Sequence, residues 1–252
     1  MIYGRNAVRE ALRGRRRVHT VLLAKSEGAK ELELKLAEWI AEARSGGALH
    51  GAPPSFERLT PEELTARLRT PDHQDIGAVV DPYPYSDADA MLRSHGLLVV
   101  LDGVQDPHNL GAIIRTAEGA GAGVLIPRHR SAEVTGTVVK VSAGAAEHAA
   151  VAKVRNLADF LLEAKKAGYW IYGAAADAKS VYTLQDYRYP TCFVVGSEGE
   201  GLGRRVASLC DVMVSLPLAG KVESLNVSVS AAVLLYEAVR QRAGNPARAG
   251  QE

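Results

Sequence analysis

Three stretches of this chain combine polar side chains and glycines in ways that burying apolar surface does not require. The first runs Leu101-Asp102-Gly103-Val104-Gln105-Asp106-Pro107-His108-Asn109-Leu110-Gly111-Ala112-Ile113-Ile114-Arg115. An apolar strand ends at Asp102, a turn follows, and a helix begins near Asn109. A helix start of this kind offers polar groups to an anion, because its free amides and dipole favour negative charge. Arg115 then falls within an otherwise apolar helical face. A plain helix cap and an arginine paired with a buried carboxylate would account for the same residues. In the second stretch, Gly196, Gly199, Gly201 and Gly203 follow the apolar Val194-Val195, with Ser197 and Glu198 between them. Glycines at this density leave backbone amides open to a closely approaching ligand, or make a flexible surface loop. The third stretch leads from Leu216 to Ser224-Leu225-Asn226-Val227-Ser228-Val229-Ser230. Ser224 or Asn226 can cap the last helix. Its first turns are nonetheless mediocre helix formers, so something other than propensity selects them.

Several chemistries are disfavoured. The glycine stretch is not a dinucleotide fingerprint, because Arg204 stands where the last glycine is needed, and no GxxxxGK[ST] phosphate loop occurs. That weighs against a nicotinamide dehydrogenase and a P-loop nucleotidase. Two cysteines, Cys192 and Cys210, are too few for a disulfide framework or a CxxC-type zinc site, and each is expected to be a small buried hydrophobe. With 252 residues, 47% hydrophobic and 23% charged, the composition is that of an ordinary globular protein. No apolar run approaches the roughly 20 residues of a membrane span. The first residues lack a secretory apolar stretch, and the expected location is cytoplasmic.

The elements that must position these stretches follow from periodicity. Residues 1–80 predict a small α/β unit. In it Asn6 caps a short helix through Leu12, Val18 to Leu23 is a strand, and Leu32, Leu36, Trp39, Ile40 and Ala43 mark one helical face. Thr60-Pro61-Glu62-Glu63 is a capping box, and Ile76 to Val80 is a closing strand. The proline-bearing segment from Asp81 predicts a linker over 81–96. From 97 to 252, short apolar strands (97–101, 123–126, 169–172, 193–195, 212–214) alternate with helices over 109–119, 157–167 and 225–242. This alternation implies an α/β fold with a mostly parallel sheet covered on both faces. Ligands in such sheets sit beyond the carboxyl ends of the strands, where the three stretches collect.

Formal charge is +1, but it is uneven: Arg5, Arg9, Arg13, Arg15, Arg16, Arg17 and Lys25 face a single early acid, Glu10. The cluster is either a phosphate-binding patch or a solvated basic face. Arg128, Arg130 and Lys140 form a second basic set.

Taken together, Asn109 with Arg115, Gly196-Ser197-Glu198-Gly199 and Ser224-Leu225-Asn226 resemble the three motifs of the SpoU (TrmH-type) RNA ribose 2′-O-methyltransferases, in the family's order. The start Ile2-Tyr3-Gly4-Arg5-Asn6-Ala7-Val8 is similar to the ribosomal-protein-like substrate domain of the rRNA-modifying branch. The likeness is strongest to bacterial 23S rRNA guanosine 2′-O-methyltransferases. It implies a C-terminal SPOUT-type domain with a deep trefoil knot, an exception to the rule against threaded chains. It also implies S-adenosyl-L-methionine as donor and a homodimer. By position, the donor is held at Ala174, Gly196, Leu216 and Leu225, with Ser224 and Asn226 beside it. The catalytic set becomes Arg115, Asn109, Glu198, Ser224 and Asn226, with no metal. RNA is expected at Tyr3, Arg5, Asn6, Arg13, Arg15, Arg16, Arg17, Arg128 and Arg130. The substrate is 23S rRNA or a precursor 50S particle. The alternatives are a tRNA guanosine methyltransferase, a drug-resistance methylase of similar build, and a non-catalytic RNA-binding ribosome-assembly factor.

Overall fold

The computed structural model describes residues 1–197 and 199–243. Its contacts divide the chain into two compact units, Met1–Pro84 with Glu133–His148, and Tyr85–Ala132 with Ala149 onward.

The first unit opens with strand β1 (Ile2–Tyr3), helix α1 (Arg5–Arg13), β2 (Val18–Ala24), α2 (Ala29–Ser45), β3 (Ser55–Leu59), α3 (Pro61–Leu68) and β4 (Ile76–Val80). The four strands form one sheet in the order β1-β4-β2-β3. β2 pairs in parallel with β3 and antiparallel with β4. The Thr60 capping box forms as expected: Glu63 N donates to Thr60 Oγ1 at 3.2 Å and Thr60 N to Glu63 Oε2 at 2.8 Å. Asn6 does not cap α1. Gly4, at φ +95°, precedes the helix, and the Arg5 amide donates instead to Gln74 Oε1 at 3.0 Å. The distant Gln74 thus supplies the acceptor that a local cap would have given.

The chain continues in the second unit with α4 (Ala88–Ser94), β5 (Leu97–Asp102), α5 (Pro107–Gly119) and β6 (Gly123–Pro127). α4 lies inside the stretch expected to be linker, with Asp87 accepting from Ala90 N at 2.8 Å as its cap. The segment 133–148, expected within the 97–252 domain, packs with the first unit. It carries α6 (Gly136–Val141) and a short 3-10 turn over Ala145–Glu147. Arg16 explains the attachment. It is buried and donates to Glu147 through Nε at 2.9 Å and through Nη2, while Nη1 donates to the Asp81 carbonyl at 3.2 Å. Gly14 permits this, because a Cβ there would lie 2.7 Å from Glu147 Cβ. Tyr3 Oη and Thr137 Oγ1 lie 2.9 Å apart and add a second tie.

The second unit resumes with β7 (Val151–Val154), α7 (Leu157–Lys166), β8 (Trp170–Ala174), β9 (Ser180–Val181), β10 (Thr191–Gly196), α8 (Arg204–Ala207), β11 (Val212–Ser215) and α9 (Val227–Ala243). Its seven strands form one sheet in the order β7-β6-β5-β10-β8-β11-β9, and every pairing is parallel. The sequence predicted five of them; β7, interrupted by Lys153, and the two-residue β9 are edge strands too short to show a period. Leu97 through Leu101 are all buried, as central parallel strands require. Each such side chain contributes about 1.5–3 kcal/mol of transfer free energy. After β11 the chain crosses back to α9, which packs on α5 and β10.

Candidate functional site

The carboxyl ends of three neighbouring strands open into one cavity of about 380 Å³. Ala174 ends β8, Gly196 ends β10, and Leu216 directly follows β11. All three line the cavity, joined by Ser224 and Leu225. Five positions chosen from the sequence therefore surround one space. Ser197, Val227 and Ser230, which the sequence reading named without giving them a donor role, also line it, as do Leu218 and Glu223. A fold of strands with ligand-bearing ends supplies that signal only once the strand order is known.

Gly196 has a steric role as well as an open amide. A Cβ there would lie 2.1 Å from the Gly201 carbonyl oxygen, so only glycine lets the 199–203 loop fold back over the strand end. Gly199 and Gly201 adopt φ of +90° and +66°, and Gly201 N donates to Ser197 O at 3.0 Å. Asp102, at the end of β5, fixes the loop's other end by accepting from Gly203 N at 2.8 Å. Glu198 lies outside the described residues.

A second pocket of about 340 Å³ adjoins the first and shares Ser197 and Val227 with it. Asn109, Gln105, Asp106 and Glu200 line it. The cap of α5 is Asp106, whose Oδ1 accepts from His108 N at 2.9 Å, with Pro107 in the first turn. Asn109 is thereby released from capping, and its Oδ1 accepts from Asn226 Nδ2 at 2.9 Å. Asn226 caps α9 in turn, accepting from Ser228 N at 2.9 Å and Ser228 Oγ at 2.6 Å. Asn226 does not itself line the donor-side cavity expected of it; it ties the start of α9 to α5. Ser224 is left exposed.

Arg115 lies elsewhere. It lines neither pocket, is exposed on α5, and has no ion pair or hydrogen bond among the described residues. Six residues of helix separate it from Asn109, a rotation of about 120° in net effect. The buried carboxylate that would explain an arginine in an apolar face is absent among the described residues.

The basic cluster divides. Arg15 and Arg17 are exposed, Arg13 is exposed and 3.6 Å from Glu10, and the exposed Arg5 donates through Nε to the Gln74 carbonyl at 3.5 Å. Arg16 is removed from the RNA-facing set by its burial on Glu147. Tyr3 is half-buried on Thr137, and Asn6 is exposed within α1. Arg128 and Arg130 are exposed after β6, whereas Lys140 donates to the Asp72 carbonyl. Of the cysteines, Cys192 is fully buried and burial raises its thiol pKa; Cys210, only partly buried, is pushed up to about 11. Neither is a thiolate near neutrality, so neither is a nucleophile here.

Residues 96–236 match the model of the SpoU rRNA Methylase family, and residues 1–86 match a model described as RNA 2′-O ribose methyltransferase substrate binding. A Synechocystis protein named an uncharacterized tRNA/rRNA methyltransferase, slr0955, is 39% identical over 249 residues; the match covers 96% of this chain and 62% of that one. Bacillus subtilis YacO, provisionally named a TrmH-family tRNA/rRNA methyltransferase, is 37% identical over 250 residues, covering 96% and 95%. The solved SpoU methyltransferase AviRb of Streptomyces viridochromogenes, in complex with AdoMet, superposes with a TM-score of 0.76 at 26% identity, covering 97% of this chain and 90% of AviRb. The two-unit α/β architecture with its parallel sheet and strand-end cavity is thus a methyltransferase architecture. This chain belongs to the SpoU family of RNA methyltransferases.

Proposed function

We propose that this protein transfers a methyl group from S-adenosyl-L-methionine to a ribose 2′-hydroxyl of RNA, with a guanosine of 23S rRNA as the acceptor. The observation that carries this reading is the pair of adjoining pockets. One is bounded by the ends of β8, β10 and β11; the other lies beside Asn109, with Ser197 and Val227 common to both. The residues present suit the donor. Leu216, Leu218 and Leu225 give an apolar wall for an adenine ring, strand-end backbone offers hydrogen bonds to its edge, and Gly196 keeps the approach clear. Bound there, the donor supplies a methyl carbon on positively charged sulfur, a leaving group already activated.

The chain's own work is alignment and charge. The Asn109–Asn226 bond fixes the start of α5 against α9, so the acceptor pocket keeps its shape beside the donor cavity. Ser224 and Ser197 present hydroxyls at the cavity wall. A charged guanidinium has no acceptor atom, so Arg115 is not the base that its family position suggests. By its family position it holds a phosphate of the RNA strand outside the acceptor pocket, while the 2′-hydroxyl proton leaves to phosphate or water. Glu198 would orient it. The protein acts in the cytoplasm as a homodimer, a reading supported by exposed Val229 and Tyr236 on α9. Residues 1–80 take RNA through Arg5, Arg13, Arg15 and Arg17, and residues 97–252 hold the knotted catalytic domain, with Arg128 and Arg130 contributing.

The test is transfer of labelled methyl from S-adenosylmethionine to separated 23S rRNA, 16S rRNA, tRNA and precursor 50S particles, followed by nuclease mapping. Label at one guanosine ribose of 23S rRNA, free or in the particle, is the expected result. Label on tRNA would keep the chemistry and replace the substrate with the other class that the relatives' tRNA/rRNA names include. Donor binding without transfer to any of them would leave the ribosome-assembly factor.

A further inference from the structure

The donor cavity is lined by backbone, aliphatic and hydroxyl groups, with a single acidic side chain among the described residues, Glu223. Its carboxylate is exposed on the loop before α9 and pairs with no side chain among the described residues. Lys221, two residues earlier, leaves it alone as well. The cavity's other electrostatic feature has the opposite sign. Val227 and Ser230, from the first turn of α9, bring the positive end of a 17-residue helix to the wall. That end alone would disfavour a cationic ligand.

A site that accepts S-adenosylmethionine must nevertheless take in two positive groups, the sulfonium and the α-ammonium. We infer that Glu223 binds a positive charge of the donor and reverses the unfavourable field at the start of α9. The inference rests on the proposed donor site and adds a residue that selects by charge. If Glu223 faces the sulfonium, it also distinguishes donor from product, because methyl transfer leaves a neutral thioether. The attraction is lost as the reaction completes, and product leaves more readily than donor.

Calorimetric titration of wild-type protein and Glu223→Gln with three ligands tests this. S-adenosylmethionine carries both cations, S-adenosylhomocysteine only the ammonium, and 5′-methylthioadenosine neither. The amide preserves shape and removes charge. Expected is a roughly three- to tenfold weaker affinity for S-adenosylmethionine with 5′-methylthioadenosine unchanged, the scale of one partly solvated ion pair. An unchanged S-adenosylhomocysteine affinity assigns Glu223 to the sulfonium; a matching loss assigns it to the ammonium. Glu223→Lys should enlarge whichever loss is seen. Equal weakening of all three ligands, or none of any, would overturn the inference while leaving the donor site standing. Wild-type protein that binds none of the three would overturn the donor site itself.

Discussion

The segment around Arg16 and the helix α5 put the same side chain to opposite uses. Arg16 stands in a run of basic residues, a pattern that normally marks a solvated face, yet it is buried against Glu147. Arg115 stands among the apolar residues of α5, a pattern that normally marks burial with a partner, yet it is exposed and unpaired among the described residues. What separates them is what the chain brings from far away. Glycine at position 14 lets a residue 131 positions on from Arg16 reach its guanidinium, whereas nothing comparable approaches α5 at Arg115. One charge therefore holds a fold together and the other stays exposed on α5.

Removing each arginine in turn should give opposite results. Arg115→Ala is expected to lower methyl transfer at least 100-fold, the cost of losing the charge that holds the RNA strand in register with the donor. Calorimetry should find S-adenosylmethionine affinity unchanged, since Arg115 lines neither pocket. Lost donor binding in a folded variant would end the division of labour drawn here. Arg16→Ala should do the reverse, destabilising the first unit by about 3–5 kcal/mol through an uncompensated buried carboxylate, read by urea denaturation. Replacing both partners, Arg16→Met with Glu147→Leu, should recover most of that loss. If the single variant is as stable as wild type, Arg16 belongs with the surface set after all.

Legibility in the sequence followed the same division between local and distant causes. The capping box at Thr60 and the central parallel strands were readable because each depends on residues within one turn or one strand. Asn6 misled because its helix takes its acceptor from Gln74, and the packing of 133–148 on the first unit was not legible because its anchor is the distant Arg16. For the cavity, the family resemblance placed five lining positions, Ala174, Gly196, Leu216, Ser224 and Leu225, but not Glu223 or Leu218. Their place depends on the crossing from β11 back to α9, and no local pattern announces a crossing.

Gly196 offers a smaller effect on the catalytic side. In Gly196→Ala the added methyl would lie 2.1 Å from the Gly201 oxygen, so the loop must shift. A cost of about 1–3 kcal/mol is expected in thermal or urea unfolding, with donor affinity reduced at least tenfold. Unchanged donor affinity would show that the loop closes over something other than the donor. Smaller again is the pair at the neighbouring pocket. Asn226→Ala removes both the α9 cap and the bond to Asn109, and should cost about 1–2 kcal/mol. Asn109→Ala removes the same bond but leaves the α9 cap in place, so it should be the milder of the two in stability. Both should lower transfer to a similar extent if the bond's function is to hold the acceptor pocket. A much larger catalytic loss for Asn109→Ala would mean that its side chain touches the RNA directly.

The smallest expected effect lies in how RNA binding responds to salt. Exposed Arg15 and Arg17 flank buried Arg16, and the proposed RNA contact assigns phosphate to the two exposed residues alone. Each phosphate neutralised on a single strand contributes about 0.7 to the slope of log affinity against log salt. Arg15→Gln with Arg17→Gln should therefore flatten that slope by about 1.4 in filter-binding assays with 23S rRNA fragments. The double variant Arg16→Met with Glu147→Leu should leave the slope unchanged, because it removes a charge that RNA never meets. A slope that falls in the second variant and not in the first would invert the assignment. It would put the buried pair, opened by RNA, at the interface in place of its exposed neighbours.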